Sequence, residues 1–180
     1  MTDQSHTKWI RKLPFLVILI VGTILIIRRH ADAPYQKDSG IIFGTFYHIT
    51  YQSNQNFRED IEAELKKVDA SLSPFNQESI ISAINNNTSM KVNDMFKLVF
   101  ETAMRISEET DGDFDITVSP LVNRWGFGFK NDIKPDSAVV DSLKQFVGYQ
   151  TVKLINSTIH KADERTMLDC SSIAKGFGVD

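Results

Sequence analysis

The stretch DSAVVDSLKQFVGYQTVKLINSTIHKADERTMLD, Asp136 to Asp169, decides the fold class. Asp136 to Val147 reads as one helix, and Gly148 follows it as a stop. Three short runs rich in β-branched residues come next: Thr151 to Asn156, Ser157 to Lys161, and Thr166 to Asp169. Their composition suits strands, and their close succession suits a meander. One helix followed by three strands is not a regular βαβ alternation. The expected class is therefore α+β, with helices and an antiparallel-type sheet, rather than a doubly wound parallel sheet.

Working upstream, Ile41 to Gln52 alternates, with Phe43, Thr45, Tyr47, Ile49 and Tyr51 on one face, so one strand is expected there. Gly44 inside it predicts a bulge or a close backbone approach. Asn56 to Leu72 carries Ile61, Leu65, Val68 and Leu72 at spacings of a helical stripe, and Pro74 ends it. Gln77 to Asn85 predicts a short helix using Ile80, Ile81 and Ile84. Asn93 or Asp94 should cap a longer helix that reaches Thr110, with Phe96, Val99, Phe100, Ala103 and Ile106 inward and Gly112 as its stop. Asp113 to Phe129 has no period and is expected to be an ordered loop. Downstream, Ser171 or Ser172 should cap a final helix.

The chain has 180 residues, enough for one domain with a real core. A net charge of -3 and scattered basic residues give no reason to expect a nucleic-acid partner. The single cysteine, Cys170, excludes an internal disulfide framework and a thiolate metal cluster. It holds a place best read as small core. The histidines at 6, 30, 48 and 160 are dispersed.

Leu13 to Ile27 is a dense apolar run between Lys8, Arg11 and Lys12 on one side and Arg28, Arg29 and His30 on the other. Its length lies between a signal-peptide core and the ~20 residues of a spanning helix. Trp9 and Ile10 can extend it as an interfacial anchor. Ala31-Asp32-Ala33 resembles a cleavage site, but Pro34 and the intervening arginines disfavour cutting. An uncleaved transmembrane or signal-anchor helix is expected, with no lipid-bearing cysteine after it. The expected organisation is an anchor over residues 1–30, a polar linker over 31–39, and a globular part over 40–180.

Two stretches carry chemistry. In the first, Gly112-Asp113-Phe114-Asp115-Ile116-Thr117-Val118 runs on to Trp125-Gly126-Phe127-Gly128. Glycines let a ligand approach the main chain, and Trp125 and Phe127 could stack on a flat ring. An aromatic-rich turn packing a core edge explains the same residues. In the second, Leu168-Asp169-Cys170-Ser171-Ser172-Ile173-Ala174-Lys175-Gly176 sets an acid at a strand end, serines at a helix start and a lysine soon after. Free N–H groups and Lys175 suit phosphate, while a carboxylate and exposed carbonyls suit Mg²⁺. An ordinary capped helix is the alternative.

Both stretches resemble the ApbE family of FAD:protein FMN transferases, and two others do as well. Gly44-Thr45-Phe46-Tyr47-His48-Ile49 is similar to the family's opening strand. Val68-Asp69 with Leu72-Ser73-Pro74-Phe75 and Glu78-Ser79-Ile80-Ile81-Ser82-Ala83-Ile84-Asn85 is similar to its helix-and-turn motif. The four occur in the family's order across residues 40–180.

The resemblance implies FAD contacts from Asp115, Ile116, Thr117, Asp169 and Lys175, and a Mg²⁺ ligand from the Ser172 carbonyl. Phe43 and Phe75 stand where the family often has Met and Tyr. They are expected at the flavin site too, with the Tyr hydroxyl lost. No catalytic residue is assigned. The implied reaction is Mg²⁺-dependent transfer of FMN from FAD to a Thr or Ser hydroxyl, releasing AMP. A Mg²⁺-dependent FAD hydrolase and a non-catalytic, membrane-tethered FAD-binding protein are the alternatives. The implied targets are subunits of membrane redox complexes, on the extracytoplasmic side of a bacterial membrane. The family continues for about as long again, so the chain is expected to be an N-terminal portion that binds flavin weakly and is inactive alone.

Overall fold

The computed structural model describes residues 12–29, 33–126 and 136–180. They divide into two compact units, Met1–Asp38 with Ile49–Asn56, and Ser39–His48 with Phe57–Asp180. The described architecture mixes helices with two two-stranded sheets, as an α+β chain should.

The first unit begins with α1, Leu13–Arg29, whose large apolar side chains from Leu13 to Ile26 are mostly exposed. At 17 residues it measures about 26 Å, short of a ~30 Å hydrocarbon core. Among the described residues no helix is long and apolar enough to cross a membrane. The basic residues Lys8 and Arg11, and Ala31-Asp32 of the cleavage-like triplet, lie outside the described residues. Strand β1, Tyr35–Ile42, pairs with β2, Thr45–Gln52. Tyr35 to Ser39 is therefore strand and not linker. Its polarity misleads because main-chain pairing, rather than burial, holds it. Ser53 N–H donates to the Pro34 carbonyl at 3.1 Å and the Gln36 side chain to the Ser53 carbonyl at 3.2 Å, closing the open end.

The second unit contains the turn of that hairpin. Phe43 and Gly44 sit at φ 53° and 70°. Two successive left-handed residues between paired strands make the tight turn that matches strand twist. The run expected to be one strand is thus the end of one strand, a turn and the start of the next. Gly44 turns the chain rather than bulging it.

Helix α2, Arg58–Leu72, buries Val68, Ser71 and Leu72. Helix α3, Ile80–Asn85, is capped by Ser79, whose hydroxyl accepts from Ser82 N–H. Helix α4, Asp94–Glu109, is capped by Asn93, which accepts from Phe96 N–H at 2.9 Å. Of the two caps expected, Asn93 is the one used. Phe96, Val99, Phe100 and Ala103 are buried on its inner face, while Ile106 is only half-buried and Ser107 is buried beside it. The helix ends with Asp111 in the left-handed region at φ 51°. Asp111 N–H donates to the Glu108 carbonyl and Gly112 N–H to the Ser107 carbonyl, at 3.2 and 2.8 Å. This paired closure puts Asp111 at the first left-handed position past the helix, and Gly112, the expected stop, follows it at φ 87°.

The non-periodic stretch contains a helix, α5, Ser119–Arg124, with Pro120 in its first turn. Pro is favoured there because its missing N–H would be unpaired anyway. That was the available sign, and six residues are too few to show a period. Helix α6 spans Ser137–Lys144. A 3-10 turn over Tyr149–Thr151 leads into β3, Val152–Ile155, which pairs antiparallel with β4, Thr158–Lys161. Asn156 and Ser157, read as strand ends, form a second left-handed turn at φ 49° and 57°. Thr166 to Asp169, expected as a third strand, is not one; its main chain makes a bridge from Met167 to Val118 and a bond from Asp169 N–H to the Ile116 carbonyl. The Asn85 side chain occupies both main-chain groups of Leu168 in place of a neighbouring strand. Helix α7, Ser171–Phe177, closes the chain.

Val68, Leu72, Ile81, Ile84, Phe96, Val99, Phe100 and Ala103 form one core cluster with Ile116, Val152, Ile159, Leu168 and Cys170. It lies within the second unit and fixes α2, α3 and α4 against the hairpin of β3 and β4 and the start of α7.

Candidate functional site

Three segments of the second unit converge on an open cleft of about 320 Å³. The β1–β2 turn gives Phe43, Gly44 and Thr45. The end of α2 gives Leu72, Ser73, Pro74 and Phe75. The start of α7 gives Asp169, Ser171, Ala174 and Lys175.

Each segment is held by local chemistry. Pro74 prevents α2 from continuing, and Ser73 N–H closes its last turn on the Asp69 carbonyl at 3.1 Å. Hydroxyls then stitch the turn, with Ser79 Oγ donating to the Ser73 carbonyl and Ser82 Oγ to the Asn76 carbonyl, each at 2.7 Å. Asn76 Nδ2 donates back to Asp69 Oδ2 at 2.8 Å. The result presents Phe75, a large apolar ring, half exposed at 51%. A Cβ built on Gly44 would stand 3.0 Å from Phe75 Cγ. Gly44→Ala should therefore strain a φ of 70° and push the ring. We expect a loss of about 1–2 kcal/mol in urea unfolding, and an altered Phe75 ring environment by NMR.

The Asp169 end is equally constrained. Asp169 N–H donates to the Ile116 carbonyl at 2.7 Å, and its Oδ1 accepts from Ser171 N–H at 2.8 Å. Asp169, rather than Ser171 or Ser172, thus satisfies the first free amide of α7. The second carboxylate oxygen has no hydrogen bond to any described residue. Lys175 is exposed one turn along α7.

The structure thus brings Phe43, Phe75, Asp169 and Lys175 together. It does not bring Asp115, Ile116 and Thr117 to the cleft wall. Asp115 Oδ1 accepts from Thr117 N–H at 2.7 Å and Thr117 Oγ1 at 2.6 Å, and its Oδ2 accepts from Tyr149 N–H at 2.7 Å. Thr117 Oγ1 accepts in turn from Gly148 N–H at 2.7 Å. Ile116 is buried, and its carbonyl holds Asp169. Trp125 is half exposed and lines no part of the cleft, and Phe127 falls outside the described residues. Sequence reasoning missed Gly44, Thr45, Leu72, Ser73, Pro74, Ser171 and Ala174 as cleft lining. Their only signal was adjacency to residues already chosen.

Cys170 is fully buried, as a small core residue should be. Burial, with the Asp169 charge adding to it, pushes its thiol up to about 12. The thiol should resist iodoacetamide at pH 8 in the folded chain and react fully in denaturant. An unfolded thiol ionises near 8.5. Stability from this group is therefore complete below that pH and falls as the pH rises toward 12.

Asp169 and the Ser172 carbonyl are hard oxygen donors of the kind Mg²⁺ prefers. Among the described residues, however, no group of three or more His, Cys, Asp or Glu side chains could hold a metal ion. These donors are right in kind and too few in number to form a metal site by themselves.

A model of the ApbE family matches residues 43–180, which includes every residue of the cleft. The chain belongs to the ApbE family. It is 33% identical to the FAD:protein FMN transferase of Haemophilus influenzae, over 90% of this chain and 54% of that protein. It is 31% identical to the FAD:protein FMN transferase of Vibrio cholerae, over 79% of this chain and 46% of that one. Among solved structures it superposes on the flavin transferase ApbE from Vibrio cholerae with a TM-score of 0.75 at 28% identity, covering 82% of this chain and 52% of that chain. The apo flavinyl transferase ApbE of Pseudomonas stutzeri gives a TM-score of 0.72 at 25% identity, covering 83% and 53%. The chain spans about half the length of the curated ApbE relatives it matches.

Proposed function

We propose that the cleft binds FAD and that the chain serves in an FAD:protein FMN transferase. The convergence of two aromatic rings, a fixed carboxylate and a lysine on one cleft, in a chain of this family, carries the reading. Phe43 and Phe75 offer flat apolar faces to the isoalloxazine ring. Lys175 pairs with the diphosphate, and Asp169 marks the phosphate end. Gly44 lets the turn hold φ 70° against the Phe75 ring, on which an added Cβ would press.

The transfer balances without a redox step. A Thr or Ser hydroxyl of the target attacks the FMN-side phosphorus. A new P–O bond forms, the bond to the bridging oxygen breaks, AMP leaves with that oxygen, and the hydroxyl proton is released. Asp169 and a diphosphate are both negative, so a cation between them is required for close approach. Lys175 supplies one charge. Mg²⁺ is the ion inferred for the remainder, where Asp169 and the Ser172 carbonyl would be this chain's donors and the ion would supply neutralising charge.

The N-terminal run, including α1, is proposed to tether the protein to a bacterial membrane, with the globular part on the extracytoplasmic side. The targets proposed are subunits of membrane redox complexes. The apolar surface of α1 supports the tether.

The test uses the complete reading frame with FAD, Mg²⁺ and a candidate acceptor subunit. A flavin-fluorescent acceptor band in a denaturing gel, with AMP released, is the expected result. Free FMN and AMP with every acceptor tried would identify a hydrolase instead, and intact FAD a binding protein.

A further inference from the structure

Two polar side chains outside the cleft converge on the segment that delivers Asp169. Asn85 is the last residue of α3. Its Nδ2 donates to the Leu168 carbonyl at 2.9 Å, and its Oδ1 accepts from Leu168 N–H at 2.7 Å. Both main-chain groups of one residue, 83 positions away, are taken by one planar amide. That two-point contact fixes the orientation of the peptide as well as its position. Leu168 is fully buried and directly precedes Asp169.

Lys161 sits beside this contact. Its ammonium donates to the carbonyls of Ile84, Glu164 and Thr166 at 3.1, 3.1 and 2.9 Å. All three of its donors are used. The Ile84 carbonyl belongs to the peptide that leads into Asn85, and the Thr166 carbonyl lies two residues before Leu168. Lys161 thus ties the end of α3 to the same segment that Asn85 grips. Burial lowers its pKa, with Glu164 and Asp163 partly offsetting that effect.

We propose that Asn85 is a positioning residue, which with Lys161 as its brace holds the Leu168 main chain and so sets the Asp169 carboxylate at the cleft. Beyond Leu168, the Asp169 amide is fixed by Ile116 and its Oδ1 by Ser171 N–H, so the main chain has little freedom from 168 to 171. Displacing Leu168 must carry Asp169 with it. Small misplacements of a ligand-contacting group lose large factors. This inference rests on the reading that the cleft takes FAD.

The test combines two readouts on the chain. FAD affinity is measured by flavin fluorescence for wild type, Asn85→Ala, Asp169→Asn and the double variant. Hydrogen exchange at the Ser171 amide reports the placement of Asp169 without FAD. Asn85→Ala should weaken FAD binding roughly tenfold, add nothing in the Asp169→Asn background, and speed Ser171 exchange. Asn85→Asp, which keeps the shape and the acceptor but loses the donor, serves if the alanine variant does not fold, and should behave in the same direction. Equal losses in both backgrounds, or an unchanged Ser171 exchange rate, would overturn the proposal, since a merely structural role predicts the former. If wild type binds no FAD while Ser171 exchange still responds to Asn85→Ala, the flavin reading fails and the positioning geometry stands.

Discussion

Replacing Asp115 with Ala is expected to destabilise the chain by about 3–5 kcal/mol, a large share of the stability of an ordinary domain. The carboxylate accepts three hydrogen bonds, from Thr117 N–H, Thr117 Oγ1 and Tyr149 N–H. Bonds to a charged acceptor contribute about 1.5–3 kcal/mol each, and they do not add fully. Thr117 is completely buried, so its groups cannot turn to water when Asp115 is lost. Its hydroxyl also accepts from Gly148 N–H. The damage should therefore spread to the approach to β3, where Gly148 holds a φ of 153°. Urea unfolding measures the loss. Thr117→Val on top of Asp115→Ala should add much less than it does alone, because both act on one network. Additive losses would separate the two residues.

The second large effect is at Leu72, which is 1% exposed and both closes the core and floors the cleft. Leu72→Ala should lose about 3–4 kcal/mol through lost burial and the void left behind. Leu72→Met, nearly equal in volume, should lose less than ~1.5 kcal/mol. The pair also separates packing from binding. The alanine variant enlarges the cleft that Leu72 lines and should weaken FAD as well as the fold. The methionine variant should leave FAD affinity close to wild type.

Much of this was legible in the residues. The stripes of α2 and α4 predicted their inner faces because a helix repeats often enough over fifteen residues for the period to show. The α+β class followed from the lack of βαβ order, and the structure bears that out. The turns did not read correctly. Phe43 and Asn156-Ser157 lack the Asn-Gly or Gly-Gly signature of tight hairpins, so positive φ at Phe43, Asn156 and Ser157 could not be foreseen. Tyr35 to Ser39 looked like a linker because a strand held by main-chain pairing need not alternate.

The site divides in the same way. Phe43, Phe75, Asp169 and Lys175 were chosen by motif, and the fold gathers them at one cleft. Asp115 and Thr117 were chosen in the same manner, and their side chains are spent on Tyr149 and Gly148, more than thirty positions on. No local pattern announces partners at that distance. The same holds for Asn85 and Lys161, whose role appears only when α3 is seen beside the segment leading to Asp169.

The central claim is that FAD occupies this cleft. Two-dimensional NMR of the isotope-labelled chain, titrated with FAD in the presence of Mg²⁺, tests it most directly. The account predicts saturable shifts of the amides of Gly44, Thr45, Phe75, Ser171 and Lys175. Shifts confined to Trp125 and its neighbours, or no shifts at FAD concentrations that saturate an ApbE relative, would contradict it.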